Sequence, residues 1–244
     1  MDLAQLVHTL RYLKPRQLAY RGFYVARKRL GVGVVRSIAG EHSGHLLDLA
    51  DPIPRTASCD KNRFSFLNLQ HEFSGIIDWD FSGHGRLWTY NLNYFDFLNQ
   101  EGRSKDRGLE LIHQLLTSLD GLEPAWEPYP TSLRLVNWIK FLSREKVRDP
   151  AIDQSLYVQS VNLTRQLEYH LLGNHLLENG FGLLFAAVFF AEAEFLRRAR
   201  EVLEPELKEQ ILADGAHFEL SPMYHQILLD RLLDCINLLQ NNRP

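Results

Sequence analysis

Residues 173–195 read GNHLLENGFGLLFAAVFFAEAEF, and this stretch decides the fold class. From Leu176 to about Phe195 nearly every side chain is apolar, with GLLFAAVFFA in the middle. A helix that is apolar all round is stable in water only when other elements bury most of its sides. Its opening turn differs. Asn174, His175 and Glu178 place an amide, an imidazole and a carboxylate at the mouth of a hydrophobic rod. The plain reading is an Asn174 N-cap beside a satisfied His175–Glu178 pair. The functional reading is that the three line a cleft.

The flanking sequence supplies the surrounding helices. Leu109, Ile112, Leu115, Leu116 and Leu119 recur at helical spacing until Gly121. Thr131 can cap a second helix carrying Leu133, Val136, Ile139 and Leu142. A third is expected over 151–172, with Val161, Leu167 and Leu171 inward and Gly173 as its terminal glycine. After the apolar helix, a short one should open at Pro205 and end at Asp214-Gly215. The last opens at Ser221-Pro222. Serial helices with short connections make antiparallel hairpins, as in a bundle, a solenoid or an α/α toroid. The lack of a fixed-period repeat weighs against the solenoid.

Residues 61–98 break the pattern. Ten aromatics there, among them Trp88 and Tyr90, alternate with polar Asp78, Asp80, His84, Asn91 and Asn93. Such a segment suits stacking on sugar rings and equally suits a packed, polar-lined junction.

The chain has 244 residues and a net charge of -3, which conceals a +7 arm over residues 1–40 and a -10 remainder. Leu10–Leu30 reads as a basic amphipathic helix. It is open to attraction by anionic lipid or acidic polymer, or to simple packing by one edge. Residues 31–58 read as a connector. An acidic remainder argues against nucleic acid, and no run approaches the roughly 18 apolar residues of a membrane span. MDLAQLVHTL lacks the marks of a signal peptide, so a cytoplasmic location is the default. Cys59 and Cys235 match no metal or redox spacing and read as reduced core thiols. Serine-hydrolase, P-loop, dinucleotide and zinc-protease motifs are absent, and no metal or cofactor is expected in this segment. One further segment carries chemistry: DGAHFELSPMYH (214–225) puts Tyr224 and His225 in the first turn of the last helix. The positive end of a helix favours negative charge there, which suits a tyrosine that moves protons.

LWTYNLNYFDFL (87–98), WEPYPTSLRLVNW (126–138), GNHLLEN (173–179) and DGAHFELSPMYH (214–225) occur together in an order that resembles the heparinase II/III-like polysaccharide lyases. YLKPRQLAYR (12–21) is similar to the basic lead-in of some members. The resemblance implies an all-α, incomplete (α/α) toroid over 59–244, after a basic helix and connector over 1–58. It implies β-elimination on an anionic, uronate-containing polysaccharide. Asn174 and His175 would neutralise the C5 carboxyl group with Glu178 orienting them, and Tyr224 would act as base and acid with His225 in support. Arg134, Trp126, Tyr129, Trp88, Tyr90 and Asn93 would contact substrate. The resemblance also implies a periplasmic site of action, a second essential histidine further along, and a C-terminal β-sheet domain packed on the toroid. The sheet domain is missing from this sequence; His217 and His225 are present, but nothing in the sequence assigns either to the second histidine's role. The expectation is therefore a fragment of a longer lyase or a truncated, inactive homologue. Two other readings are a non-catalytic glycan-binding or exopolysaccharide-biosynthesis protein, and a toroidal glycoside hydrolase using Glu178 and Glu219.

Overall fold

The computed structural model describes residues 13–50 and 53–242; Leu10–Tyr12 of the expected basic helix, the MDLAQLVHTL stretch and Pro244 lie outside the described residues. It is 61% helical with one small sheet. In chain order the elements are α1 (Pro15–Arg29), β1 (Cys59–Asp60), β2 (Arg63–Phe66), β3 (Leu69–Glu72), α2 (Arg86–Tyr94), α3 (Lys105–Ser118), α4 (Pro128–Arg144), α5 (Pro150–Arg165), α6 (Gly173–Phe190), α7 (Ala193–Gln210) and α8 (Pro222–Asn241). Short 3₁₀ turns at Asp96–Asn99, Leu119–Gly121 and Glu123–Trp126 join some of them. No helix among the described residues is long and apolar enough to cross a membrane.

Helix α6 is the apolar rod, and it lies at the centre. Leu176 to Ala187 are buried without interruption, and α4, α5, α7 and α8 all pack on it. Its contact with α4 is unusually close. A Cβ added to Gly182 would lie 2.9 Å from the Ser132 Cα and 3.1 Å from its carbonyl oxygen. Backbone cannot yield as a side-chain tip can, so Gly182→Ala should cost about 1–3 kcal/mol despite alanine's better helix propensity. Thermal unfolding followed by circular dichroism should show a melting temperature lower by several degrees. An unchanged melt would mean that the two helices separate freely.

The aromatic segment is a packing device. The sheet is an antiparallel meander, β1-β2-β3, with Phe64 and Phe66 of β2 facing inward. Phe64 meets Phe97 edge-on at 5.2 Å, Phe66 meets Trp88 at 5.2 Å, and Trp79 stacks on Phe95 at 5.0 Å. Such pairs contribute beyond the area they bury.

Residues 31–50 and 53–58 have almost no regular structure, yet much of this stretch is held by side chains of the helices it crosses. Asn162 accepts from Val35 N and donates to its carbonyl, at 2.8 and 2.7 Å. Asn242 grips Asp48 and Asn237 grips Ala50 in the same two-way fashion. Each amide replaces the ladder partners that an extended chain otherwise lacks. Both cysteines are buried and unpaired.

Several boundaries differ from those expected. Helix α4 starts at Pro128 with Glu127 as N-cap, so Thr131 lies inside it. Helix α5 ends at Arg165, a loop follows, and Leu171 is exposed rather than inward. Gly173 is left-handed (φ +59°) but opens α6. The N-cap of α6 is Leu172, not Asn174. Helix α6 stops at Phe190, and Pro205 sits within α7 instead of beginning a new helix. Ser221 and Pro222 do open α8.

Candidate active site

Three helices begin at the same end of the molecule. Tyr129 near the start of α4 lies 4.5 Å, ring to ring, from His175 at the start of α6. One turn on, Asn179 Nδ2 donates to Ser132 Oγ at 3.1 Å. Contacts that advance together along both helices mean that α4 and α6 run parallel. A Cβ at Gly173 would sit 3.8 Å from Glu219 Oε1, and Glu178 of α6 pairs with Arg231 of α8, so α8 runs the same way. Lys140 of α4 and Asp234 of α8, each thirteenth in its helix, pair at 2.6 Å. Three positive helix ends therefore share one face of the molecule, a setting that favours anions. The two catalytic-looking segments, GNHLLEN and DGAHFELSPMYH, meet there.

The loop between α5 and α6 supplies what sequence reasoning missed. Glu168 is buried and holds His175 Nδ1 at 3.0 Å through one carboxylate oxygen. The other oxygen accepts from Asn179 Nδ2 at 2.9 Å, and Asn179 Oδ1 accepts the Glu168 N–H at 2.8 Å. A carboxylate at Nδ1 fixes the proton there and leaves Nε2 free, the arrangement that orients a working imidazole. Glu168 is seven residues before His175 in an irregular loop, so no helical spacing could have revealed it. The expected partner, Glu178, is turned away: it is 3% exposed and paired with Arg231 Nε at 3.1 Å.

Burial disfavours the charged form of His175, but the hydrogen bond and charge of Glu168, with a smaller pull from Glu178, outweigh it and raise its pKa above 6.5. A raised histidine stabilises the fold most below its unfolded value, and that contribution fades as pH rises through the folded one. This contribution, opposed by the lowered His170 and His217, should pull the wild-type melting temperature down as pH climbs from 6.5. Glu168→Gln should flatten that slope; equal slopes in the two proteins would show that the pair is not coupled.

On the α8 side, Tyr224 is half-buried and His225 exposed. The Tyr224 ring lies 6.0 Å from that of His217. His217 is buried, accepts the Glu219 N–H at Nδ1 and faces Gln210 Oε1 through Nε2 at 3.2 Å. Nδ1 must then be unprotonated, and burial lowers the His217 pKa. This histidine is a neutral strut for the turn before α8.

Four expected substrate contacts are structural instead. Arg134 is fully buried and bonded to Gln159 Oε1 at 2.8 Å, Ala125 O at 2.6 Å and Asn93 O at 3.3 Å. Burial lowers its pKa to about 9, which leaves it charged at neutral pH among carbonyl dipoles. Asn93 is buried and donates to Trp79 O and Thr89 O. Trp88 and Trp126 are buried and donate to Leu69 O and Leu119 O. None of the four can reach a ligand without unfolding its surroundings.

Tyr129 and Tyr90 remain at the surface. Tyr90 accepts from Arg86 and donates to Glu127; burial, then the Glu127 bond, push its phenol up to about 12. Burial likewise raises Tyr129, so both rings are neutral hydrogen-bonding platforms. A groove of about 590 Å³, lined by Leu47, Val188 and Leu239 with His45, Glu192 and Asn242, lies at the other ends of α6 and α8, away from these segments.

The sequence family described as Heparinase II/III N-terminus matches residues 92–243. The chain belongs to that family. It is also 29% identical over 160 residues to a heparin-sulfate lyase from Pedobacter heparinus, an alignment covering 62% of this chain and 22% of that protein. The chain thus spans about a fifth of the length of this curated relative. No solved structure matches. The heparinase II/III match contains every residue of the convergent site, from Tyr129 to Arg231. It leaves out α1 and the three-stranded sheet.

Proposed function

We propose that this chain forms the helical arc of an (α/α) toroid in a polysaccharide lyase, acting on uronate-containing anionic chains by β-elimination. The observation that carries the reading is the Glu168–His175 pair. It presents a free, oriented imidazole nitrogen beside Tyr129 at a mouth made of three helix N-termini. A lyase must first neutralise the C5 carboxyl group of the sugar. Asn174 and His175, in the first turn of α6, take this role in the proposal, and a raised His175 pKa supports it by favouring the cationic form that a carboxylate needs. Tyr224 then takes the C5 proton. The electron pair left on C5 forms the C4–C5 double bond, the C4–O4 bond breaks, and O4 receives a proton, again from Tyr224. Tyr129 and Tyr90 offer rings to the sugars, and His225 stands beside Tyr224. Donors already aimed at the developing enolate lower the barrier, because they need not reorganise during the reaction.

The hydrolase alternative loses half of its pair. Glu178 is buried against Arg231 and cannot approach a glycosidic bond together with exposed Glu219.

The test is the full-length protein incubated with heparan sulfate, alginate and bacterial exopolysaccharides. The expected result is growth of the ultraviolet absorbance of unsaturated uronates with at least one polymer. New reducing ends without that absorbance would overturn elimination, and binding without either product would favour a glycan-binding role.

A further inference from the structure

Helix α1 is amphipathic, and it is mounted with its apolar side outward. Gln17, Tyr20, Tyr24 and Arg27 form the half-buried stripe at i, i+3, i+7 and i+10. What they reach is polar backbone. Gln17 donates to Leu171 O at 3.1 Å, Tyr24 to Leu167 O, and Arg27 to Arg165 O. Tyr20 packs at a tilt against Tyr169, 4.6 Å between ring centres, and the Arg16 guanidinium lies 4.0 Å from the centre of the same ring. Away from that stripe, Leu18 (40% exposed) and Val25 (54%) lie on one flank; Phe23 (54%) and, just past the helix, Leu30 (78%) lie on the other, where they also edge an open groove of about 720 Å³ against Leu167 and Tyr169. Ala19, Gly22 and Ala26 fill the space between them, and among the described residues nothing lies within 4 Å of where a Gly22 Cβ would be. A helix kept only for packing would turn these residues inward and its arginines to water.

Charge decides what such a face would meet. Between Leu13 and Gly40 there are seven lysines and arginines and no acid. At 100° per residue, Arg16 and Arg27 flank the apolar face on one side and Arg21 and Lys28 on the other, while Arg29 falls within the face in its last turn. An apolar face edged by cations, on a helix whose outer side has no partner among the described residues, has the chemistry of a segment lying in a lipid headgroup layer. We infer that α1 docks the protein peripherally on an anionic membrane surface, with Phe23, Val25 and Leu30 entering the headgroup–acyl boundary and the flanking cations reaching acidic headgroups. An acidic polymer would use the cations and leave the apolar residues idle. This inference does not depend on the lyase reading, since α1 lies outside both the catalytic site and the family match.

The test is sedimentation of the whole chain with phosphatidylcholine vesicles, with and without phosphatidylglycerol. Binding should require the anionic lipid. The double variant Phe23→Asp/Val25→Asp should abolish it, and each of Arg21→Gln, Lys28→Gln and Arg29→Gln should weaken it about fivefold. All five side chains are exposed, and an unchanged circular dichroism melt would show that the fold is intact. As a second reading, Phe23→Trp adds an exposed indole to four buried tryptophans. Its emission should shift to the blue on anionic vesicles only. Failure of wild-type protein to bind anionic vesicles at low salt would overturn the inference. So would vesicle binding that survives Phe23→Asp/Val25→Asp, or binding to heparin in solution that shows the same dependence on Phe23 and Val25.

Discussion

Arg231→Met is expected to cost about 3–5 kcal/mol of stability, because it leaves a carboxylate buried without its counter-charge. Glu178 is 3% exposed, and both of its oxygens lie 3.1–3.2 Å from Arg231 Nε. Burial already raises the Glu178 pKa, and Arg231 is the main influence holding it down. Without the guanidinium, the carboxyl must either stay charged in a dry site or take up a proton, and each course weakens folding. In a chain of this size the loss corresponds to a melting temperature lower by roughly 6–20 °C. The sign of the pH dependence follows. A carboxyl raised in the folded state favours folding at low pH, so the deficit relative to wild type should shrink as pH falls toward 4.5. Asp234 is the lesser casualty, since Lys140 still pairs with it at 2.6 Å. Replacing both partners, Glu178→Met with Arg231→Met, should recover most of the loss, as well-packed apolar groups often match a buried ion pair. Thermal melts of the three variants at two pH values decide the matter. A single Arg231→Met variant melting within a degree or two of wild type would refute the uncompensated-charge account.

The same pair shows where sequence reasoning reaches and where it stops. Composition alone placed α6 at the centre, because eighteen residues so apolar have no other stable home in water. It could not assign Glu178, since its partner lies 53 residues away and nothing local distinguishes an Arg231 partner from a His175 one. The Gln166–Leu172 loop was hidden because Leu167 and Leu171 continue the helical spacing of α5 while the backbone leaves it. Glu168 was hidden with it. Pro205 is a good helix starter by local rules. Tertiary packing overrides them: Val202 and Leu203 press against Gly180 of α6, where an added Cβ would come within 2.7–3.0 Å of them, and Pro205 itself faces solvent. The aromatic segment misled for a related reason. Indoles and amides beside one another suit a sugar or a junction equally well, and only burial distinguishes Trp88 and Asn93 from Tyr90. In contrast, GNHLLEN and DGAHFELSPMYH could each be picked out because each places polar groups at a helix start, and the family resemblance joined them in one site.

Tyr224→Phe should reduce turnover by at least 10²–10³ with little change in melting temperature, because it removes one hydroxyl from a half-buried position and nothing from the core. His175→Ala should cost a similar factor for a different reason: in the proposed mechanism it removes the donor to the C5 carboxyl group rather than the proton carrier. The two losses should not add, since a base that cannot meet an acidified C5 proton has little left to do. Glu168→Gln separates geometry from charge. Glutamine can still hold Nδ1 through its amide oxygen, so substrate binding at acid pH should change little. The imidazolium, however, loses the carboxylate that raises its pKa, and the limb of the activity profile governed by protonated His175 should move to lower pH. Glu168 is thus a positioning residue, and its signature is a displaced pH profile instead of an abolished rate. Rates should be followed with the polymer that gives the strongest unsaturated-uronate absorbance. Tyr224→Phe retaining more than a tenth of wild-type activity would remove Tyr224 from the proton-transfer role. A Glu168→Gln profile superimposable on wild type would remove protonated His175 from the rate-governing step, and with it the argument that a cation at the mouth of α6 neutralises the substrate carboxylate.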